Sequence, residues 1–107
     1  MRQLASGIRA EDVKLGDGAI AERGCLATIR WECRLNRGDP VRNGTDTLRI
    51  GKREAIAGLE RGVIGMRVGG IRKLRISPHL AYRDAGAPGI PPNALLEFEV
   101  ELLSLSD

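Results

Sequence analysis

The chain has 107 residues, 42% of them apolar, with 17 basic and 14 acidic side chains and a net charge of +3. That length suits one domain, residues 1–107, with a single core, and so slight a charge excess gives little support for a nucleic-acid partner. One histidine and two cysteines leave no ligand set for a metal, and no run approaches the ~20 apolar residues of a membrane span.

Around Val13 and Leu15 the chain reads as a short strand that ends at Gly16-Asp17-Gly18. No N-terminal stretch has the apolar centre of a signal peptide. Residues 25–35 then alternate. Cys25, Ala27, Ile29, Trp31, Cys33 and Leu35 share one face, and Leu26, Thr28, Arg30, Glu32 and Arg34 the other. Period two marks a strand with one buried side. Along such a strand Cys25 and Cys33 stand ~26 Å apart, too far for a disulfide. Two free thiols suit a reducing compartment, so a cytoplasmic protein is expected.

Asn36-Arg37-Gly38-Asp39-Pro40 forms a turn. Asn43-Gly44-Thr45-Asp46 reads as a second turn before a short strand with Leu48 and Ile50. A short helix follows over Glu54–Glu60, with Gly62 as its C-terminal cap. Ile56, Leu59, Val63 and Ile64 supply its apolar side. Gly58 weakens it by roughly 1 kcal/mol relative to Ala, which suggests close approach of another backbone. Val68-Gly69-Gly70 turns the chain into a strand over residues 71–76, with Leu74 and Ile76 inward and Lys73 and Arg75 outward. A last strand over residues 94–103 sets Leu96, Phe98, Val100 and Leu102 against Glu97, Glu99 and Glu101. Between these strands lies Ser77–Asn93, with four of the five prolines and the only tyrosine. A loop this long in a small domain is functional or disordered. Leu80, Tyr82 and Ile90 need something to pack on, so it reads as an ordered wall over a site. The sum is α+β: an antiparallel sheet folded over one short helix.

Reactive chemistry lacks its tools. Both thiols fall on an apolar strand face, where cysteine is inert. Gly65–Gly70 lacks the ending of a phosphate loop. His79 reads as a surface loop residue, and Arg42, Arg49, Lys52 and Arg53 as a solvated face. An apolar cleft with a few polar groups remains, suited to a reaction that needs only an environment. Rotation about a prolyl peptide bond is one such reaction. Its ~18–20 kcal/mol barrier reflects lost amide resonance. Removing water from the charge-separated planar amide lowers it, and each ~1.4 kcal/mol is tenfold in rate.

The segments Gly51–Val63, Lys73–Pro78, Ala81-Tyr82, Gly86–Ala94 and Leu96–Leu103 resemble the FKBP-type peptidyl-prolyl cis-trans isomerases, over nearly the whole chain from Val13 to Leu103. The resemblance implies an antiparallel half-barrel sheet wrapped around one short helix, with a proline pocket between them and no cofactor. It implies that the Tyr82 hydroxyl and the Ile56 amide donate to substrate carbonyls. It further implies that Trp31, Val41, Ala55, Leu59, Ala81, Ile90 and Phe98 contact the substrate. The chain departs from the family where Leu59 takes the place of a tryptophan floor and Arg42 that of an aspartate. Asp46 or Thr47 replaces an aromatic in a segment about five residues short, and Ala87 replaces a histidine. The expected pocket is shallower and more cationic. Its substrates are proline-containing peptides or unfolded proteins, with macrolide inhibitors bound weakly. The alternative is a catalytically weak or inactive module that holds proline-containing segments of a partner.

Overall fold

The computed structural model describes residues 1–36 and 38–106; Arg37, in the turn expected at 36–40, lies outside the described residues. Six strands form one antiparallel sheet: β1 (Arg2–Ala5), β2 (Ile8–Lys14), β3 (Leu26–Leu35), β4 (Pro40–Arg49), β5 (Ile71–Ile76) and β6 (Leu96–Ser106). Their order is β1-β2-β5-β6-β3-β4, so the sheet is open, with β1 and β4 at its edges. The helix α1 spans Ala57–Val63.

Strands β3, β5 and β6 fall within three residues of where alternation puts them, because each buries one face. Ala27, Ile29, Leu74, Ile76, Leu96, Val100 and Leu102 are fully buried. On the outer face Arg75 meets Glu97 at 3.8 Å and Arg30 meets Glu101 at 3.0 Å. Such exposed pairs contribute little, ~0.2–1 kcal/mol each.

Several expectations need correcting. The N-terminus forms a hairpin, β1 and β2, rather than one short strand, and Leu15 lies exposed beyond it. Residues 43–46 are not a turn. They continue β4, with Gly44 opposite Trp31 and Asp46 opposite Ile29. The ladder to β3 overrides the weak strand preference of Asn, Gly and Asp. Gly44 suits this place because a Cβ there would lie 3.2 Å from the Trp31 ring. The helix also starts later than expected, with Ile56 as the extended residue before it (φ −60°, ψ 145°). Glu54 and Ala55 precede it.

Gly62 lies inside α1, not at its cap. Gly58 and Gly62, one turn apart, rest on β5: a Cβ at 58 would overlap the Ile76 side chain, and one at 62 the Leu74 side chain. The close approach expected at Gly58 is therefore to a side chain. It brings the helix down onto the sheet and leaves Leu59 facing the interior.

The far end of α1 is tied by Arg72, a 5% exposed residue on the inner face of β5. Its Nη1 donates to the carbonyls of Gly62 (2.9 Å) and Ile64 (3.1 Å), and its Nε to Asp12 (2.7 Å). Asp12 also accepts from Arg2 at 2.8 Å.

The long loop is ordered by its own backbone. A 3-10 turn covers Pro78–Leu80. Ala87 and Ile90 exchange two hydrogen bonds (3.0 and 2.8 Å), and the Asn93 N–H reaches the Arg83 carbonyl at 2.7 Å. Ile90 is thereby buried against the core.

Candidate functional site

A cavity of about 250 Å³ opens between α1, the inner face of β3 and β6, β4 and the long loop. Pockets for drug-sized ligands run ~300–1,000 Å³, so this one suits a ring or a short side chain. Of the nine expected contact residues, Trp31, Ala55, Ile56, Leu59, Tyr82, Ile90 and Phe98 line it. Val41 and Ala81 do not. Val41 sits against Gly89 on the outer part of the loop, where a Cβ at 89 would lie 3.3 Å from its Cγ1. Ala81 ends the 3-10 turn, and its N–H goes to the Pro78 carbonyl.

The inner walls, formed by Ile29, Trp31, Leu59, Ile90 and Phe98, are apolar. The Trp31 and Phe98 rings stand 6.1 Å apart at 51°, a tilted aromatic pair. Leu59 and Phe98 are almost wholly buried. Trp31 is fixed by its indole N–H, which donates to Asp46 at 2.6 Å. Cys33 also lines the cavity. Burial pushes its thiol up to about 11, with the Arg42 charge opposing, so it stays protonated and unreactive.

Tyr82 and Ile56 both line the cavity. Among the described residues neither the Tyr82 hydroxyl nor the Ile56 N–H makes a hydrogen bond within the protein. The Ile56 N–H sits just before α1, where the backbone is still extended and its carbonyl already accepts from Leu59 and Glu60 (3.1 and 3.2 Å). Glu60 positions this entry. It is 5% exposed, and its two carboxylate oxygens accept from the Gly51 and Ala55 N–H groups at 2.8 Å each. One side chain thus holds both ends of the segment that presents Ile56.

Further residues line the cavity beyond the expected contacts. Ile29, Arg42, Asp46, Thr47, Leu48 and Glu54 also face the cavity. Arg42, placed by its charge on a solvated face, lies over the Tyr82 ring, 5.9 Å from its centre. Reading 40–49 as one strand would have put Arg42, Asp46 and Leu48 on a common face. Glu60 gave a signal too, as an acid one turn after Ile56 on the apolar side of the helix.

A sequence model of the FKBP-type peptidyl-prolyl cis-trans isomerase family matches residues 18–103. FK506-binding protein 4 of Chaetomium thermophilum is 41% identical over 107 residues, which cover 96% of this chain and 22% of that protein. The 46 kDa FK506-binding nuclear protein of Spodoptera frugiperda is 38% identical, over 94% of this chain and 26% of its own length. The chain therefore spans about a quarter of the curated relatives it matches. Among solved structures, that of AtFKBP13 superposes with a TM-score of 0.87 at 32% identity, covering 94% of both chains. That of FkpA from Escherichia coli gives 0.84 at 32% identity, over 94% of this chain and 49% of that one. The open six-stranded sheet over one short helix is the fold of these proteins, and the chain belongs to the FKBP-type peptidyl-prolyl cis-trans isomerases.

Proposed function

We propose that the cavity takes the ring of a proline in a peptide or unfolded chain and speeds cis–trans rotation of the bond before it. The observation that carries this is two uncommitted donors, Tyr82 and Ile56, at a cavity with apolar inner walls and a charged rim. Walls of Trp31, Leu59, Ile90 and Phe98 exclude water from the imide, which disfavours its charge-separated planar form. The Tyr82 hydroxyl holds the carbonyl of the rotating bond, and the Ile56 N–H holds the next carbonyl along. No nucleophile or cofactor takes part. Refolding of a substrate protein limited by a proline isomer tests this, with acceleration expected at micromolar protein. No acceleration would favour a module that only binds proline-containing segments, a reading motivated by Leu59 in the floor. In the same assay Tyr82→Phe should lower kcat/KM about fivefold, since one neutral donor is worth ~1 kcal/mol. An unchanged rate would remove Tyr82 from the mechanism.

The relatives are named for binding FK506. We infer that this chain binds such macrolides weakly, because Leu59 offers less contact than an aromatic floor and the cavity is small. Calorimetry should give a Kd of micromolar or above, or about −8 kcal/mol at most. Nanomolar binding would contradict the inference. Both cysteines are unpaired, which suits a reducing compartment, and we place the chain in the cytoplasm. One relative is named a nuclear protein, a compartment of the same redox character. No helix among the described residues is long and apolar enough to cross a membrane. Recovery of the protein from an oxidising compartment would overturn this placement.

A further inference from the structure

We propose that Arg42 selects substrates that carry a carboxylate on the residue preceding the proline. The proposal rests on the isomerase reading and names its substrate class. Arg42 is an exposed residue of the edge strand β4 that lines the cavity. Its guanidinium lies 5.9 Å from the centre of the Tyr82 ring. Among the described residues it pairs with no carboxylate. The two acids that share the rim are held by the protein: Asp46 accepts from the Trp31 indole at 2.6 Å, and Glu54 from the Arg49 N–H at 2.8 Å. The charge of Arg42 reaches the wall, where it opposes the upward shift of the Cys33 thiol.

Geometry fixes which substrate residue meets it. The carbonyl of the rotating bond belongs to the residue before the proline. If the Tyr82 hydroxyl holds that carbonyl, the same residue's side chain leaves the cavity beside Tyr82. Arg42 stands there, with donors to spare for an anion. A glutamate at that place gains a charged contact, and a lysine meets repulsion.

Calorimetry on three otherwise identical short peptides, with Glu-Pro, Leu-Pro or Lys-Pro at the centre, decides the matter. At low salt the Glu-Pro peptide should bind about fivefold more tightly than the Lys-Pro peptide, the order expected of one solvent-exposed ion pair. The ratio should fall toward one at ~1 M salt, where the Debye length is ~3 Å. Arg42→Ala should bring it near one at low salt, and Arg42→Glu should invert it. A ratio of one in the unaltered protein overturns the proposal, as does a preference that survives Arg42→Ala. The Leu-Pro peptide in an isomerisation assay is a separate arm. No turnover there fells the isomerase reading alone, while the binding ratio still decides the role of Arg42. Failure to bind any of the three overturns both.

Discussion

Replacing Arg72 with methionine is expected to cost about 3 kcal/mol of folding stability, toward the low end for breaking a buried ion pair. The alkyl stem is kept, so packing changes little. Three hydrogen bonds are lost, and the carbonyls of Gly62 and Ile64 and one oxygen of Asp12 lose their donor. The loss is large against the ~5–15 kcal/mol total of an ordinary domain. Urea unfolding with an unchanged slope checks it. A shift below ~1 kcal/mol would show that water replaces the guanidinium without penalty.

The same contact has a signature in pH. Burial works to raise the Asp12 carboxyl, but hydrogen bonds from Arg72 and Arg2, and then their charges, hold it below its usual 3.8. A depressed acid contributes stability above its unfolded value and loses it as pH falls through the folded one. The gap between the unaltered protein and Arg72→Met should therefore narrow below pH 3.8. A gap constant across that range would assign the loss to the two carbonyls instead.

The second large effect is expected at Glu60. Glu60→Ala strips the acceptor from the Gly51 and Ala55 N–H groups, each bond to a charged group being worth ~1.5–3 kcal/mol. Stability should fall by ~2–3 kcal/mol, since water recovers part of the loss at partly buried sites. Loss of exchange protection at the Gly51 and Ala55 amides distinguishes local loosening from a general decline. Glu60→Gln keeps one carbonyl acceptor and should restore part of both readouts. If both amides keep their protection in Glu60→Ala, the loop is held by something other than this carboxylate.

Legibility from sequence followed how each residue's environment is set. Ile29, Leu74, Val100 and their neighbours sit on strands with one dry side, so polarity alternates and the strands can be read. β4 has no dry side of its own along Arg42–Asp46. Its extended state comes from pairing with the preceding strand β3 and not from its own residue types, so Asn43–Asp46 reads as a turn. Arg72 and Glu60 break the pattern differently. Each is a charge on an inward face, satisfied by backbone groups that only the folded chain brings near. The cavity was legible where family position and burial agree, as at Phe98, Leu59 and Ile90. At Arg42 the two signals pointed apart and both held: its charge argued for solvent, where it is exposed, and its family position for the pocket, which it lines.

The chain's single tryptophan is the wall residue Trp31, its indole N–H already held by Asp46. Every photon of intrinsic indole emission therefore originates at the wall of this cavity. Occupancy changes the polarity around that one fluorophore without any label, so titrations, stopped-flow traces and quenching by small solutes all read the same spot in the unmodified protein.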